Sequence, residues 1–310
     1  MDKLTGVYCA SITPINTDYS INKELFLKHC NNLLTQGLSG LAVFGTTGEA
    51  NAFNVEEKID SLEYLIANNF LPKNLIPGTG HCSILDTVKL TKKCAELKVK
   101  AVLVLPAFFY KSVSDEGVIN YYRRVVEEVG DQDLKYILYH IPQTSGVPIS
   151  FEVIDKLLKL YPKNIVGIKD SSGNLDNMLK ITKFFNGFSV FSGSDSLALK
   201  VSKRGGAGAI TATSNISGKL LSFIVNNFRN DNSIENFDQL QLLQEKIRET
   251  LFTHEPVSAI KAYMSLLENN EEWNHVNPPL HKIDNPKSDK TVIGLLELTR
   301  KINELIPVSS

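Results

Sequence analysis

Residues 135–169, KYILYHIPQTSGVPISFEVIDKLLKLYPKNIVGIK, decide the fold of this chain. Two short apolar runs, 135–140 and 165–169, flank residues 151–160, whose apolar side chains recur at helical spacing. A strand followed by a helix and a second strand is typical of a parallel sheet, because parallel strands need a crossover connection. The stretch therefore predicts one strand–helix–strand unit.

The same alternation continues along the chain in both directions. Further apolar runs predict strands at residues 6–12, 40–44, 75–78, 101–105, 188–191 and 208–210. Amphipathic segments that begin near capping or acidic residues predict helices at residues 23–36, 55–68, 84–97 and 115–129. The count of about eight strands equals the number in a single (β/α)8 barrel, so we predict an α/β fold, a (β/α)8 TIM barrel.

A helical tail is predicted to follow the barrel. The barrel is expected to occupy residues 1–216, and residues 217–310 are expected to form a C-terminal helical extension packed on it. Helical spacing recurs in the tail at residues 233–250, 257–268 and 289–305, with a proline-rich break at 277–286. The main alternative, a doubly wound open sheet, is disfavoured because no strand is followed by GxGxxG or GxxxxGK[ST].

The overall composition indicates a protein that acts on small molecules. Lys plus Arg number 33 against 34 for Asp plus Glu, and this net charge of -1 exerts no general attraction on nucleic acid or anionic membrane. Residues 1–13 lack a basic region followed by an apolar run, so we expect a soluble, cytoplasmic protein. The four cysteines include no CxxC pair, and we expect reduced, mostly buried thiols.

Polar residues directly after the apolar runs are the candidates for chemistry, because reactive groups in a parallel barrel lie at the carboxyl ends of its strands. Residues 45–49, Gly-Thr-Thr-Gly-Glu, follow the run 40–44. Glycines let backbone N–H groups approach an anion, and the hydroxyls of Thr46 and Thr47 suit a carboxylate or phosphate. A plain strand-to-helix turn with hydroxyl caps explains the same residues, and both interpretations stay open here.

Tyr139 and His140 end the run 135–140. Alternation directs one of two neighbouring side chains into the barrel mouth, and Tyr139 is the candidate proton carrier. A phenol has an unperturbed pKa of about 10, so it can shuttle a proton without being ionised at rest, provided that another hydroxyl relays it. A core tyrosine with a satisfied hydroxyl is the alternative. We interpret His140 as a packed histidine rather than a base.

Lys169 directly follows an apolar strand and is the candidate nucleophile. Holding an ammonium group against the apolar walls of a barrel disfavours its charged form and favours the free amine, which can attack a carbonyl. The alternative is a lysine at the end of a strand whose long side chain reaches water.

Two further segments are candidates: 191–196 follows the run 188–191, and 208–211 comprises the last predicted strand and the threonine after it. They could line a pocket through Gly193, Asp195 and Ile210, although hydroxyl-rich turns explain them equally well. The six histidines form no HxxxH or HExxH arrangement, the cysteines show no ligand spacing, and no GxSxG motif occurs. We therefore predict no metal and no cofactor.

Taken together, these motifs resemble the dihydrodipicolinate synthase and N-acetylneuraminate lyase family of class I pyruvate-dependent aldolases. The matching stretches, in order along the chain, are residues 45–49, 106–110, 139–142 with 145–146, 167–170 and 191–195. Agreement of separate motifs in order and spacing is far more specific than any single one. The resemblance covers most of the chain and includes the helical tail.

The resemblance implies that Lys169 forms an imine with pyruvate or a related 2-oxo acid, whose carboxylate Gly45, Thr46 and Thr47 would bind. The cationic imine withdraws electrons from the neighbouring carbon, which explains the chemistry without a cofactor.

The resemblance also implies a proton relay and an oligomer. Tyr139 would pass protons to and from the second substrate through Thr47 and Tyr110. In the family the tyrosine that matches Tyr110 comes from a neighbouring subunit. We therefore expect a homo-oligomer, either a dimer or a dimer of dimers that forms a homotetramer.

The substrate is where this sequence departs from the best-known members. Thr144 stands where dihydrodipicolinate synthases have an arginine that binds the carboxylate of aspartate semialdehyde, and a neutral hydroxyl cannot make that bidentate contact. Ala50 and Phe109 replace residues of that branch's lysine pocket, so feedback inhibition by lysine is not expected. Asp195 and Ser196 replace the acidic dyad of neuraminate lyases, which disfavours sialic acid.

The remaining polar side chains favour a shorter polyol. Asp195, Ser194 and Thr144 could bind a 2-oxo-3-deoxy sugar acid or similar hydroxy-oxo acid, which would be cleaved reversibly to pyruvate and an aldehyde. One alternative is 4-hydroxy-tetrahydrodipicolinate synthase, which condenses pyruvate with aspartate semialdehyde in lysine biosynthesis. The alternative of another class is a non-catalytic protein that binds 2-oxo acids.

Overall fold

A parallel β-sheet of seven strands forms the framework of the chain. The computed structural model describes residues 3–229, 234 and 236–306. The strands are β1 (Gly6–Cys9), β2 (Gly40–Leu41), β3 (Val102–Val104), β4 (Tyr136–His140), β5 (Ile165–Asp170), β6 (Ser189–Ser192) and β7 (Gly208–Thr211). Their order is β2-β1-β7-β6-β5-β4-β3, and every pairing is parallel. The predicted parallel α/β architecture is therefore confirmed.

The predicted eighth strand, residues 75–78, is not a regular strand. Leu75 makes an isolated parallel bridge to β2, and Gly78 makes another to β3. Pro77 lies between them, and a proline has no N–H to donate to a continuous ladder. The segment thus lies between β2 and β3, the two end strands of the sheet, without forming a full strand with either.

Helices connect the strands and form the tail. Before β5 these are α1 (Lys23–Leu34), α2 (Val55–Ala67), α3 (Ile84–Glu96), α4 (Asp115–Val129), α5 (Pro142–Ser145) and α6 (Phe151–Leu160). After β5 these are α7 (Leu175–Phe184), α8 (Asp195–Lys203), α9 (Ser214–Asn227), α10 (Phe237–Leu251), α11 (Pro256–Leu267) and α12 (Lys290–Leu305). The tail helix predicted for 233–250 begins at 237, and residue 233 lies outside the described residues.

Side chains that alternate along the strands divide the core into an inner and an outer layer. Tyr139, Phe191 and Ile210 belong to a small inner cluster, whereas the other faces of the strands pack against the helices. A third cluster joins the tail helices to Ile12 and Leu25 of the first half of the chain. The predicted division after residue 216 falls within α9, next to its kink at Ser217.

A buried histidine joins the tail to the rest of the chain and should make the free energy of unfolding depend on pH. His29 Nε2 lies 3.0 Å from Asn215 Oδ1, and the His29 ring packs edge-on against Trp273. Burial lowers the pKa of His29 to about 4, from an ordinary value of 6.5. The folded state therefore holds this side chain neutral, whereas the unfolded chain takes up a proton at higher pH.

We expect the free energy of unfolding to fall by about 3 kcal/mol through this group as the pH drops from about 6.5 to about 4. His29→Gln keeps a donor for Asn215 but cannot titrate, so its stability should decline less over that interval. Urea unfolding of both proteins at the two ends of the interval measures the difference. Equal losses in both would assign the acid sensitivity to other groups.

Within the described residues, no helix has the length and apolar character needed to cross a membrane.

Candidate active site

Two neighbouring strands place Tyr139 and Lys169 side by side. The β4–β5 register pairs Tyr139 with Lys169, and parallel neighbours in register point to the same side of a sheet. The Lys169 Nζ lies 4.3 Å from the centre of the Tyr139 ring. On the other flank, the register pairs Lys169 with Phe191 of β6. The amine is thus bordered by aromatic residues on both neighbouring strands.

Lys169 is buried, with 4% of its surface exposed. So small an exposed fraction disagrees with the alternative, in which a lysine at the end of a strand extends its side chain into bulk water. A primary amine held away from water, at the end of a strand, is available to attack a carbonyl carbon that enters the site.

The Tyr139 hydroxyl is hydrogen-bonded to Thr46 Oγ1 at 3.2 Å. Burial alone would raise the pKa of Tyr139, but the positive charge of Lys169 and hydrogen bonds with Thr46, Ser171 and Lys169 outweigh it and lower that pKa. The phenol is therefore a better proton donor than an ordinary tyrosine. The resemblance implied a relay from Tyr139 through Thr47, whereas the side-chain hydrogen bond of the Tyr139 hydroxyl on this turn is with Thr46.

The turn of residues 45–49 has the form of an anion site. Its backbone bonds use the N–H groups of Gly48, Glu49 and Ala50, which leaves those of Thr46 and Thr47 without an acceptor among the described residues. Gly48 is required here, because a Cβ on it would lie 2.8 Å from the Ser11 carbonyl oxygen. Two free N–H groups with two hydroxyls can bind a carboxylate.

Tyr110 and Thr144 are exposed, and their side chains make no hydrogen bond with this group among the described residues. Tyr110 is 76% exposed and packs edge-on against Phe109, which is also exposed. Thr144 is exposed on the short helix α5. A tyrosine this exposed is free to contact another molecule, and no hydrogen bond joins it to Tyr139 within the described residues.

The segment at the start of α8 is more enclosed than the sequence suggested. Asp195 is fully buried, and its Oδ2 accepts hydrogen bonds from Thr213 Oγ1 and from Arg248 Nη1, the latter at 3.2 Å. Its Oδ1 has no partner among the described residues. Gly193 lies against Ser171, whose hydroxyl would collide with a Cβ, and Ile210 is a buried inner residue.

His140 is a packed histidine, as predicted. Its Nδ1 accepts a hydrogen bond from the Ile149 N–H at 3.0 Å. Burial lowers the pKa of His140, although the charge of Asp170 raises it in part. The neutral ring therefore serves as a structural acceptor.

Sequence reasoning missed three residues that border the site. Ser171 contributes to the environment of Tyr139, Arg248 pairs with Asp195, and Lys261 pairs with Glu49. Only Lys261 carried a signal, since it is the single charged side chain inside the mostly apolar helix α11. A lone charge on such a helix indicates a buried partner. Among the described residues, no group of three or more His, Cys, Asp or Glu side chains could hold a metal ion.

Comparison with known proteins identifies related chains over nearly the whole length. The sequence model of the Dihydrodipicolinate synthetase family matches residues 3–296. A 4-hydroxy-tetrahydrodipicolinate synthase from Methanococcoides burtonii is 32% identical over 280 residues, which cover 90% of this chain and 92% of that protein.

Solved structures agree on the fold. The 4-hydroxy-tetrahydrodipicolinate synthase from Methylacidiphilum fumariolicum SolV superposes with a TM-score of 0.86 at 23% identity, covering 98% of this chain and 100% of that one. A variant of the 2-keto-3-deoxygluconate aldolase from Sulfolobus solfataricus superposes with a TM-score of 0.85 at 22% identity, covering 97% and 98%. Proteins named for two different substrates therefore share this architecture.

Proposed function

Because this chain belongs to the dihydrodipicolinate synthetase family, we propose that it is a Schiff-base-forming lyase or aldolase that condenses Lys169 with pyruvate or another 2-oxo acid. The observation that carries the proposal is the buried Lys169 amine beside a phenol with a lowered pKa, which is itself bonded to the anion-binding turn. A nucleophile, a proton carrier and a carboxylate site are the three groups that such a reaction needs.

In the proposed mechanism, the Lys169 nitrogen attacks the C2 carbonyl carbon, and the carbonyl oxygen leaves as water to form a cationic imine. Thr46 and Thr47, with the backbone from Gly45 onward, hold the substrate carboxylate. The imine accepts the electron pair of the bond between C3 and C4 when that bond breaks, which yields an enamine and an aldehyde. Proton return to C3 and hydrolysis then release pyruvate and the free amine.

Tyr139 supplies and removes protons at these steps. Its bond to Thr46 makes Thr46 the first relay partner, with Thr47 beside it on the same turn. Tyr110, exposed in this chain, would complete the relay of a second copy, as it does in the family. That role requires a homo-oligomer. Residues 75–78, which bridge β2 and β3, would take the place of the eighth strand of the barrel.

For the substrate, we propose a 2-oxo-3-deoxy sugar acid or a similar hydroxy-oxo acid. Thr144 is a neutral hydroxyl where a second carboxylate would need a cation. The buried Asp195 Oδ1, which has no partner among the described residues, can accept a hydrogen bond from a substrate hydroxyl, and the Ser194 hydroxyl can donate to or accept from one. The alternative second substrate is aspartate semialdehyde, which would make the protein a 4-hydroxy-tetrahydrodipicolinate synthase. The name of the relative from Methanococcoides burtonii favours this alternative. A non-catalytic 2-oxo-acid-binding protein would not need a proton carrier beside the amine.

Borohydride reduction in the presence of pyruvate tests the family reaction. We expect one lysine, Lys169, to gain a pyruvate-derived mass in a peptide digest. A label on another lysine, or none, would remove the proposal. Pyruvate release from a panel of 2-oxo-3-deoxy acids, run beside a coupled assay with aspartate semialdehyde, then separates the two substrates.

A further inference from the structure

A fully buried ion pair lies next to the anion-binding turn. The side chains of Lys261 and Glu49 are 0% and 2% exposed and are paired through Nζ and Oε1. Lys261 Nζ also donates to the His275 carbonyl oxygen at 2.8 Å, and Glu49 Oε2 accepts from the Asn277 N–H at 2.7 Å. Burying two charges costs several kcal/mol per ion before pairing, so this geometry is a specific feature rather than a source of net stability.

Glu49 holds an unusual backbone conformation at the end of the turn. Its φ is 53°, in the left-handed region that residues other than glycine rarely adopt. Its N–H donates to the Thr46 carbonyl oxygen at 3.1 Å. Because the Glu49 side chain is held at both oxygens, its backbone is held too, and that backbone determines the path of Thr46 and Thr47.

Lys261 reaches the turn from the C-terminal tail. It lies on α11, and a cavity of about 310 Å³ separates the start of that helix and residues 277–280 from Thr46 and Thr47. Burial lowers the pKa of Lys261, while the charge of Glu49 raises it in part. The ion pair therefore connects the tail to the turn across the edge of this cavity.

We propose that Glu49 and Lys261 are positioning residues for carboxylate recognition. The pair holds the turn in the conformation that directs the free N–H groups and hydroxyls of Thr46 and Thr47 at the substrate carboxylate. Its hydrogen bonds go to His275 and Asn277 and to neither Lys169 nor Tyr139, so it takes no direct part in amine attack. The inference rests on the proposed function, because it explains how the turn of that site is held in the conformation that would bind the substrate carboxylate.

The test compares a ketone that has a carboxylate with one that lacks it. The double variant Glu49→Gln with Lys261→Met removes both charges together, so that neither is left buried alone. The second-order rate constant of borohydride-trapped adduct formation is measured with pyruvate and with acetone. We expect the rate constant for pyruvate to fall about 10-fold and that for acetone to change less than about 2-fold, since only pyruvate uses the turn.

Two further variants separate positioning from a general loss of folding. Lys261→Arg keeps the positive charge and should recover most of the rate with pyruvate. Lys28→Met breaks the ion pair between Lys28 and Glu268, which also joins the tail to the barrel but lies away from the turn. It should leave both rates as in the natural protein.

Each other outcome is decisive. Equal losses with pyruvate and acetone, or no loss with either, would contradict a positioning role. If the natural protein traps neither ketone on Lys169, the proposed function fails and this inference fails with it. If the natural protein traps pyruvate and the double variant does so equally fast, the inference alone fails.

Discussion

Replacing Lys169 by methionine should abolish covalent capture of pyruvate and lower kcat on the order of 10⁴-fold or more. Methionine has a similar length and suits a buried position between Tyr139 and Phe191, but its thioether has no amine nitrogen and cannot form an imine with a carbonyl. Without the imine, no group remains to accept the electrons of the breaking carbon–carbon bond. Steady-state pyruvate release and mass analysis after borohydride treatment measure both effects.

Lys58→Met is the matched control for this experiment. Lys58 is as buried as Lys169 but lies on α2, where its Nζ is 3.1 Å from His81 Nε2. Burial lowers the pKa of Lys58 to about 8. This variant should keep the pyruvate adduct and the turnover. An adduct that survives in Lys169→Met and disappears in Lys58→Met would show that Lys58, and not Lys169, is the nucleophile.

Replacing Tyr139 by phenylalanine should lower kcat by about 10²- to 10⁴-fold while the pyruvate adduct still forms. The ring that borders the Lys169 amine at 4.3 Å is retained, and only the hydroxyl that bonds Thr46 is lost. Amine attack can then proceed, but the proton transfers that follow it lose their carrier. Borohydride trapping reports the first step, and steady-state turnover reports the whole cycle.

Tyr136→Phe supplies the control for the loss of a hydroxyl. Tyr136 lies on the same strand, β4, and is fully buried, but its hydroxyl has no partner among the described residues. Its removal should change neither adduct formation nor turnover. Should Tyr139→Phe turn over as fast as Tyr136→Phe, Tyr139 would have no place in the mechanism.

The two variants together separate the steps of the proposed reaction. Loss of Lys169 removes the covalent intermediate, whereas loss of the Tyr139 hydroxyl leaves it in place and slows its conversion. A non-catalytic protein that binds 2-oxo acids would show no turnover in any variant. The comparison therefore distinguishes an enzyme from a binding protein as well as one residue from the other.

Most strands and helices could be predicted from the sequence because their signals are local. The run at 165–169 corresponds to β5, and the amphipathic segment 151–160 coincides with α6. Capping residues gave the helix starts, as at Ser150, whose side chain accepts from the Val153 N–H. The eighth strand was wrong as a regular strand: residues 75–78 make only isolated bridges, and Pro77 has no N–H to donate to a ladder.

The sequence by itself determined which residues end strands, and therefore that Lys169 and Tyr139 belong to the same edge of a parallel sheet. Only the tertiary structure decided which hydroxyl meets Tyr139, which side chain enclosed Asp195, and that Glu49 is held by Lys261, 212 positions away. Apolar periodicity reports what each segment buries, but it carries no information on which distant side chain it buries against. The pairings of Arg248 and Lys261 depend on the packing of the tail on the barrel, where a shift of one helical residue would bring a different side chain to the site.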